Sequence, residues 1–429
     1  MIERFFGLTE NRTTVRTEIV AGVTTFLAMS YIVLVNPQIL GAAGMDKGAV
    51  FVATCLASAG ATLFMALYAN YPLALAPGMG MNAYFAFTVV QGLHYSWQVA
   101  LGAVFISGCL FLAISLTPVR AWLMAAIPMS QKIAISAGIG LFLGIIALEN
   151  AGLVIAHPVT LVTLGNLKAP ATLLASAGFI VMVALDRLNV PGAIIIAVLA
   201  TALAGIVLGV SPFAGIASLP PSLAPTALAL DLRGALDIGL VTIVFVFLFM
   251  DLFDNTGTLV GVAYRAGFVK PDGTIPRLNR VLIVDSAATI GGALLGTSTV
   301  TSYIESAAGV RAGGRTGLVG VTVAALFLLT LAFAPLAESV PLYATAPALL
   351  FVACLMARGL AEIDWDDVTE YAPAMVTALT MPLTFSIANG IAFGFITYAA
   401  VKLLSGRFRE ASPSMIGLAL IFIVKYALF

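Results

Sequence analysis

Long apolar stretches follow one another along nearly the whole chain. Of its 429 residues, 61% are hydrophobic and 9% are charged, whereas soluble domains have about 45–50% apolar and about 25% charged residues. A water-soluble globular fold is therefore excluded. Because a membrane span takes about 20 residues plus a short connection, this length accommodates about 14 spans and leaves no room for a large soluble domain.

These stretches predict an all-α polytopic membrane protein of about 14 transmembrane segments. The predicted spans lie near 17–40, 48–69, 72–91, 98–117, 131–149, 170–186, 191–209, 235–263, 279–295, 297–310, 316–334, 342–358, 371–388 and 390–404. A final apolar stretch over 413–428 is short enough to be either a crossing or a half-crossing helix.

The positive charges predict the orientation of the spans. Lys and Arg collect on alternate connections, beginning with Arg4, Arg12 and Arg16 before the first span. This pattern places the N-terminus in the cytoplasm and the Lys/Arg-poor loop 210–234 outside. We expect a multi-pass protein of the inner or plasma membrane.

Charge and cysteine usage exclude several partners. The 20 basic and 20 acidic residues balance, and they form no basic face of the kind that binds nucleic acid. Cys55, Cys109 and Cys354 each stand alone in an apolar segment. No disulfide, metal site or cofactor is predicted.

The loop 210–234 divides the chain into two halves, 1–209 and 235–429, that share a pattern. Each half contains an apolar segment interrupted by small, polar or helix-breaking residues at a matching place, 76–85 and 296–309. Because the second half starts on the opposite side of the membrane, the repeat is predicted to be inverted. Such interrupted segments indicate the midplane binding site of a transporter. The alternative is that both are packing kinks, since Gly and Pro are common in membrane helices.

The first interrupted segment, APGMGMNAYF, cannot form a continuous regular helix. Pro77, Gly78 and Gly80 favour extended backbone. We expect a half-helix to begin near Asn82, with the Asn82 side chain capping its N-terminus.

The second interrupted segment opens with the polar run TSTVT at 297–301, which favours extended backbone. A short helix follows, with Glu305 predicted in its first turn. Irregular backbone at membrane depth requires a polar cavity or surrounding protein to satisfy its N–H and C=O groups. The two segments together predict a polar pocket.

A third polar element is DLFDNTGTLVGVA at 251–263. Asp251 and Asp254 are three residues apart, and Asn255 and Thr258 extend the same helix face. A carboxylate within a span costs about 2.5–3.5 kcal/mol on insertion scales and faces a cavity or a partner. We expect at least one of the two to be functional. The alternative is that Asp251 caps a broken helix and Asp254 faces water.

Asp285 is a further carboxylate, set among small residues in an apolar span. Two roles stay open for it. It either hydrogen-bonds the second interrupted segment as a structural anchor or takes a direct part in proton transfer.

The motifs resemble a known family. The run NRTTVRTEIVAGVTTFLAMSYIVLVNP at 11–37, APGMGMNAYF, DLFDNTGTLVGVA and GTSTVTSYIESAAGVRAGGRTG at 296–317 closely resemble the AzgA-like purine permeases of the nucleobase:cation symporter-2 group, which includes xanthine and uracil permeases. The resemblance implies two inverted repeats of about seven spans each, short strands in the third and tenth spans, and uptake of adenine, guanine and hypoxanthine by proton symport.

The same resemblance implies a core domain and a gate domain. The core would comprise roughly 17–117 and 235–334, and the gate roughly 118–209 and 335–429. In relatives the gate supplies a dimer interface, so the resemblance allows a homodimer without fixing the oligomeric state.

Carried over residue by residue, the resemblance also assigns the site. It implies substrate contacts for Asp254, Glu305, Asn82, Asp251, Ser298, Thr299 and Ser302. For the coupled proton we consider Glu305, Asp254 and Asp251, with Asp285 in reserve. Asp254 stands where the uracil and xanthine branches usually carry Glu, and its shorter side chain leaves more room for a bicyclic base.

The residue types suit a purine, whose N–H groups are donors for carboxylates and whose ring nitrogens and carbonyls accept from N–H groups. A proton is favoured over sodium as the coupling ion. The alternatives are a carrier of uracil or xanthine, a passive channel or sensor, and an intramembrane enzyme that uses Asp251 and Asp254 as a carboxylate dyad.

Overall fold

The computed structural model describes residues 2–117, 127–236, 241–266, 268 and 275–428. Several side chains of the helix Val241–Arg265 lie outside the described residues, and Asp254 is one of them. Its predicted role therefore rests on the sequence.

The described chain is mostly helical. Its helices are α1 (Ile2–Phe6), α2 (Val15–Met29), α3 (Ile32–Ala42), α4 (Lys47–Phe64), α5 (Met79–Ala83), α6 (Trp97–Ser115), α7 (Met129–Asn150), α8 (Pro170–Arg187), α9 (Ala193–Val207), α10 (Leu232–Ala235), α11 (Val241–Arg265), α12 (Leu278–Leu295), α13 (Ser306–Arg311), α14 (Leu318–Thr330), α15 (Ala334–Glu338), α16 (Leu342–Ala357), α17 (Val368–Leu383), α18 (Ile387–Leu404) and α19 (Pro413–Leu428). Its strands are β1 (Leu75–Pro77), β2 (Val154–His157), β3 (Leu161–Leu164) and β4 (Val300–Ser302). Two π-helical segments, Met65–Ala69 and Tyr84–Gly92, continue α4 and α5.

Among the described residues, nine continuous helical segments are long and apolar enough to cross a bilayer. This confirms a multi-pass, helical membrane protein. The total of about 14 spans remains a prediction, because the other predicted spans are shorter or interrupted helices.

The predicted boundary between two of the last spans differs from the observed one. The sequence suggested spans over 371–388 and 390–404, but α17 ends at Leu383 and α18 begins at Ile387. Ser386 causes the earlier start, because its side chain accepts a hydrogen bond from the Asn389 N–H as the N-cap of α18.

The chain forms two compact units. The first contains the residues up to Leu116 together with Asn166–Ala348, and the second contains Thr117–Gly165 together with the residues from Leu349 onward. Both interrupted segments belong to the first unit. The core and gate roles expected from the resemblance remain predictions.

In the first unit, β1 and β4 pair antiparallel, with Leu75 opposite Ser302 and Pro77 opposite Val300. The strands expected in the third and tenth spans are therefore present. Each is followed by a short helix, α5 or α13. Buried apolar side chains surround the pair, including Met65, Leu73 and Val281.

The buried carboxylate of Glu18 connects the start of α2 to the start of α14. Glu18 of α2 is fully buried and accepts hydrogen bonds from the N–H groups of Arg315 and Thr316, at 2.8 and 3.1 Å, and from the Thr316 hydroxyl. These groups lie just before α14. Four helical N–H groups lack intrahelical acceptors at each helix start, so Glu18 supplies acceptors beside the region that needs them.

Candidate functional site

Each short strand is tied to a neighbouring helix by a threonine. The Thr62 hydroxyl of α4 lies 3.1 Å from the Leu75 carbonyl and 2.9 Å from the Leu75 N–H. In the second half, the Thr289 hydroxyl of α12 lies 3.1 Å from the Val300 carbonyl. Matching helices thus hold β1 and β4 by the same chemistry, which satisfies backbone groups that would otherwise be exposed at membrane depth.

Asp285 adds a second attachment for β4. Its Oδ1 accepts hydrogen bonds from the Ser302 N–H at 3.0 Å and from the Ser302 hydroxyl at 3.1 Å. The Tyr303 hydroxyl then donates to the Pro77 carbonyl at 2.6 Å. These contacts fix the end of β4 against both α12 and β1.

The half-helix α5 begins earlier than the sequence suggested. Gly78, with φ −73° and ψ 120°, is its N-cap residue, so the predicted capping role of Asn82 is wrong. The Gly78 N–H donates to the Thr299 carbonyl at 3.0 Å, which ends the strand and allows the helix to start. A Cβ atom at Gly78 would lie 2.3 Å from the Met81 side chain and 3.1 Å from that of Thr301. Glycine therefore permits the close approach of the two interrupted segments.

Asn82 instead lies inside α5 and is completely buried. Its amide donates to the Asn36 Oδ1 at 2.6 Å, and its own Oδ1 accepts a hydrogen bond from the Ser298 hydroxyl. The predicted site residues Asn82 and Ser298 are thus brought together across the two halves.

Asn36 is a buried polar residue that the sequence analysis missed. Its amide donates to the hydroxyls of Thr54 at 2.7 Å and Thr297 at 2.9 Å. An amide followed by Pro37 within an apolar helix was the available signal, because a buried amide needs partners. Asn36 links α3, α4, α5 and the second interrupted segment.

Glu305 is half-buried and immediately precedes α13, rather than lying in its first turn. Its side chain makes no capping hydrogen bond to the helix. It accepts a hydrogen bond from the Tyr31 hydroxyl at 2.8 Å instead. Tyr31 lies between α2 and α3, and the sequence analysis did not identify it.

On α11, Asp251 and Asn255 are both completely buried. The Thr289 hydroxyl lies 2.9 Å from the Asp251 Oδ2 and 3.1 Å from the Val300 carbonyl, so these two acceptors share its single proton. The Asn255 amide has no hydrogen-bond partner among the described residues. Buried amides are normally hydrogen-bonded, so the Asn255 amide is available to bind a further polar group.

The remaining predicted residues lie on the same two segments. The Thr299 hydroxyl contacts the Met81 sulfur at 3.0 Å, and Ser302 is held by Asp285. The described hydrogen bonds join Asn82 to Ser298 and Asp251 to Thr289. Glu305 is hydrogen-bonded to Tyr31. Within the described ranges, no group of three or more His, Cys, Asp or Glu residues is arranged to hold a metal ion.

The site contains hydrogen-bonding groups of several kinds. These residues supply buried amide and hydroxyl groups, the carboxylates of Asp251 and Glu305, and the start of a short helix. Carboxylates accept N–H donors, and amides both donate and accept.

Known proteins resemble this chain in sequence and in fold. The family model Xan_ur_permease, described as Permease family, matches residues 16–393. The adenine permease AdeP of Escherichia coli is 48% identical over 99% of this chain and 96% of its own length. The guanine/hypoxanthine permease PbuO of Bacillus subtilis is 45% identical over 98% and 99% of the two chains.

Among solved structures, the transmembrane domain of the cyanobacterial bicarbonate transporter BicA aligns with a TM-score of 0.65, covering 88% of this chain and 97% of that one. The two sequences are 19% identical, so the likeness concerns the fold. Because the family match and the relatives extend over most of its length, the chain belongs to the Permease family of xanthine and uracil permeases.

Proposed function

We propose that this transporter takes up the purine bases adenine, guanine and hypoxanthine by proton symport across the inner or plasma membrane, with its N-terminus in the cytoplasm. The observation that carries the proposal is the buried polar junction of the two interrupted segments, where Asn82 meets Ser298. AdeP and PbuO support the substrate class, since their names specify adenine, guanine and hypoxanthine.

Membership in a permease family identifies a transporter and not an enzyme. The carboxylate-dyad enzyme is therefore set aside. A carrier of uracil or xanthine remains the second candidate, because the matching family model is named for those bases.

The chemistry of the site suits a neutral base. Purines carry N–H groups that a carboxylate accepts, and ring nitrogens that accept from an amide or hydroxyl. We assign substrate contacts to Asp254, Glu305, Asn82, Asp251, Ser298, Thr299 and Ser302.

The coupled proton is assigned to Glu305, Asp254 or Asp251. A protonatable group inside a membrane is costly and is retained for ion pathways. Asp285 stays in reserve, because its two bonds to Ser302 support the anchoring role more than a direct proton role.

Transport then requires the site to open to each side of the membrane in turn, as in other carriers with inverted repeats. We propose that the core and gate domains implied by the resemblance perform this movement, and that the protein works as a homodimer.

The test is uptake of labelled adenine, guanine, hypoxanthine and uracil by cells that lack their own nucleobase carriers, with and without a protonophore. We expect concentrative purine uptake that the protonophore abolishes. Uptake that only equilibrates would indicate a passive channel, and concentrative uptake of uracil alone would favour the second candidate. Well-expressed protein without uptake would overturn the substrate assignment.

A further inference from the structure

A two-stranded hairpin stands between two predicted membrane spans. Strands β2 and β3 belong to the second unit, and they pair antiparallel with Val154 opposite Leu164 and His157 opposite Leu161. The connection from 152 to 167, GLVIAHPVTLVTLGNL, contains no Asp, Glu, Lys or Arg.

The hairpin exposes large apolar side chains on both faces. Val159 at the turn is 82% exposed, and Leu161 and Leu164 of β3 are 71% and 65% exposed. Residues an odd number apart in a strand point to opposite faces, so Leu161 and Leu164 lie on different sides of the sheet. A two-stranded hairpin is by itself only marginally stable in water.

The outer edge of β3 also carries backbone groups that face away from its partner strand. The Gly165 N–H donates to the Leu153 carbonyl at 2.9 Å, so these residues form a hydrogen-bonded pair next to the hairpin. Because hydrogen-bonded and non-hydrogen-bonded pairs alternate, the N–H and C=O groups of Val162 and Leu164 point away from β2. One of them, the Val162 carbonyl, accepts a hydrogen bond from the Thr160 hydroxyl. In the part of the chain that the structure describes, β3 has no strand neighbour other than β2.

In water the apolar side chains of this edge would be exposed, and in lipid its backbone groups would lack hydrogen bonds. Natural edge strands carry charged side chains or proline to prevent pairing, and β3 has neither. Immersion in hydrocarbon would leave the other three outward groups, the Val162 N–H and the Leu164 N–H and C=O, unsatisfied, and for this reason open sheet edges are absent from lipid. A second strand with the same apolar side chains satisfies both requirements.

We propose that β3 pairs antiparallel with β3 of a second copy of this chain, forming an intermolecular four-stranded sheet. The twofold axis passes beside Thr163, so that Val162 bonds to Leu164 of the partner subunit and Leu164 to the partner subunit's Val162. This register uses the outward groups of both residues. It is isologous, as the interface of a closed dimer must be. The proposal is independent of the substrate assigned above.

Disulfide cross-linking tests the register. In this pairing the two Thr163 residues form a non-hydrogen-bonded pair with Cα atoms about 4.5 Å apart, within the range that a disulfide spans. We would introduce Thr163→Cys after replacing the exposed Cys109 and Cys354 by alanine and leaving buried Cys55 in place. We expect mild oxidation of membranes to give a covalent dimer.

Val159→Cys in the same background is the matched control. It is more exposed than the apolar residues of β3 but lies at the turn, away from the twofold axis. We expect little cross-linking there. Equal cross-linking at both positions would indicate random collision and would overturn the proposal, as would the absence of dimer with Thr163→Cys.

A second measurement removes a donor of the proposed intermolecular hydrogen bonds. Leu164→Pro deletes an outward N–H but none of the hydrogen bonds within the hairpin, whereas Leu164→Val retains it. We expect the purified Leu164→Pro protein to be at least tenfold richer in monomer by light scattering at equal concentration, with Leu164→Val as dimeric as the wild type. An unchanged dimer with Leu164→Pro would place the interface elsewhere. An unfolding temperature close to that of the wild type shows that both variants are folded, and this measurement does not depend on the proposed function.

Discussion

The two units of the molecule surround their buried charges with different partners. In the first unit, Asp285 accepts from the Ser302 hydroxyl and N–H, and Glu305 accepts from the Tyr31 hydroxyl. In the second, completely buried Lys402 lies 2.6 Å from a Glu370 oxygen and 2.5 Å from a Glu410 oxygen.

The difference separates two uses of charge. A hydroxyl or amide donor orients a carboxylate without cancelling its charge, so the group can still exchange a proton or accept a ligand N–H. An ammonium group between carboxylates cancels charge and fixes three segments at once. We infer that the second unit uses its ion pairs to hold α17, α18 and the segment after α18 together, whereas in the first unit Asp285 holds the end of β4 through neutral donors.

The largest effect is expected from Lys402→Met, which removes the cation of the second unit's network. Glu370 would then be left half-buried beside Ser130 and Tyr398 without its cation. Removing one partner of a fully buried pair costs about 3–5 kcal/mol. Glu370 and Glu410 are partly exposed, so we expect a smaller cost and a measurable fall in the thermal unfolding temperature of the purified protein. Adding Glu370→Gln should restore part of the loss. An unfolding temperature equal to that of the wild type would show that the network does not stabilise the second unit.

In the first unit, Glu305→Gln should affect transport rather than folding. The amide keeps an acceptor for Tyr31 but cannot carry a negative charge or release a proton. Hydrogen bonds to charged groups contribute about 1.5–3 kcal/mol, which predicts a fall in kcat/KM of roughly 10- to 100-fold together with loss of proton-driven accumulation. The measurement is labelled purine uptake normalised to surface expression.

Glu149→Gln serves as the control for that variant. Glu149 is an exposed residue near the end of α7, and we expect it to leave uptake unchanged. Normal proton-coupled accumulation by Glu305→Gln would remove Glu305 from the coupling scheme.

Asp285 distinguishes an anchor from a proton carrier. Asp285→Asn keeps the oxygen that accepts both Ser302 bonds, while Asp285→Ala removes it. Since each lost hydrogen bond costs about 0.5–1.5 kcal/mol, we expect uptake to fall by about tenfold with alanine and by much less with asparagine. Equal loss of proton-coupled uptake in both variants would favour the direct proton role.

The smallest effect concerns Asp367, the N-cap residue of α17 in the second unit. Hydrogen bonds from Thr369, with a further contribution from Arg407, lower the pKa of Asp367 to about 2. Because this folded-state pKa lies below the ordinary value of about 3.9, its contribution to stability is present above pH 4 and is lost as the pH falls toward 2. We therefore expect the difference in unfolding temperature between the wild type and Asp367→Asn to be small at pH 7 and to shrink further at pH 3. A difference that grows on acidification would contradict this assignment.

Local sequence rules predicted the interrupted segments well. Pro77 and Gly78 disfavour a helix, and the polar run at 297–301 favours a strand, so the extended backbone of both segments followed from composition. The starting point of α5 did not. Gly78 became the cap because the Thr299 carbonyl accepts its N–H, and that acceptor lies more than 200 residues away in the chain.

The same distance explains the missed partners. Asn36 and Tyr31 belong to an apolar stretch in which hydropathy predicts only a span. Their partners, Thr297 and Glu305, lie in the other half of the chain. Periodicity reports which residues share a helix face, but it does not report which distant segment that face will meet.

The pairing of β1 with β4 has a consequence for biosynthesis. Pro77 lies opposite Val300, and at roughly 5–20 residues per second a ribosome needs roughly 10–45 s to make the chain between them. During that time the first half is in the bilayer with an unpaired strand edge, which hydrocarbon does not tolerate. Newly made β1 must therefore be shielded by the insertion machinery or by neighbouring helices until its partner strand emerges, and the first unit can complete its fold only late in translation.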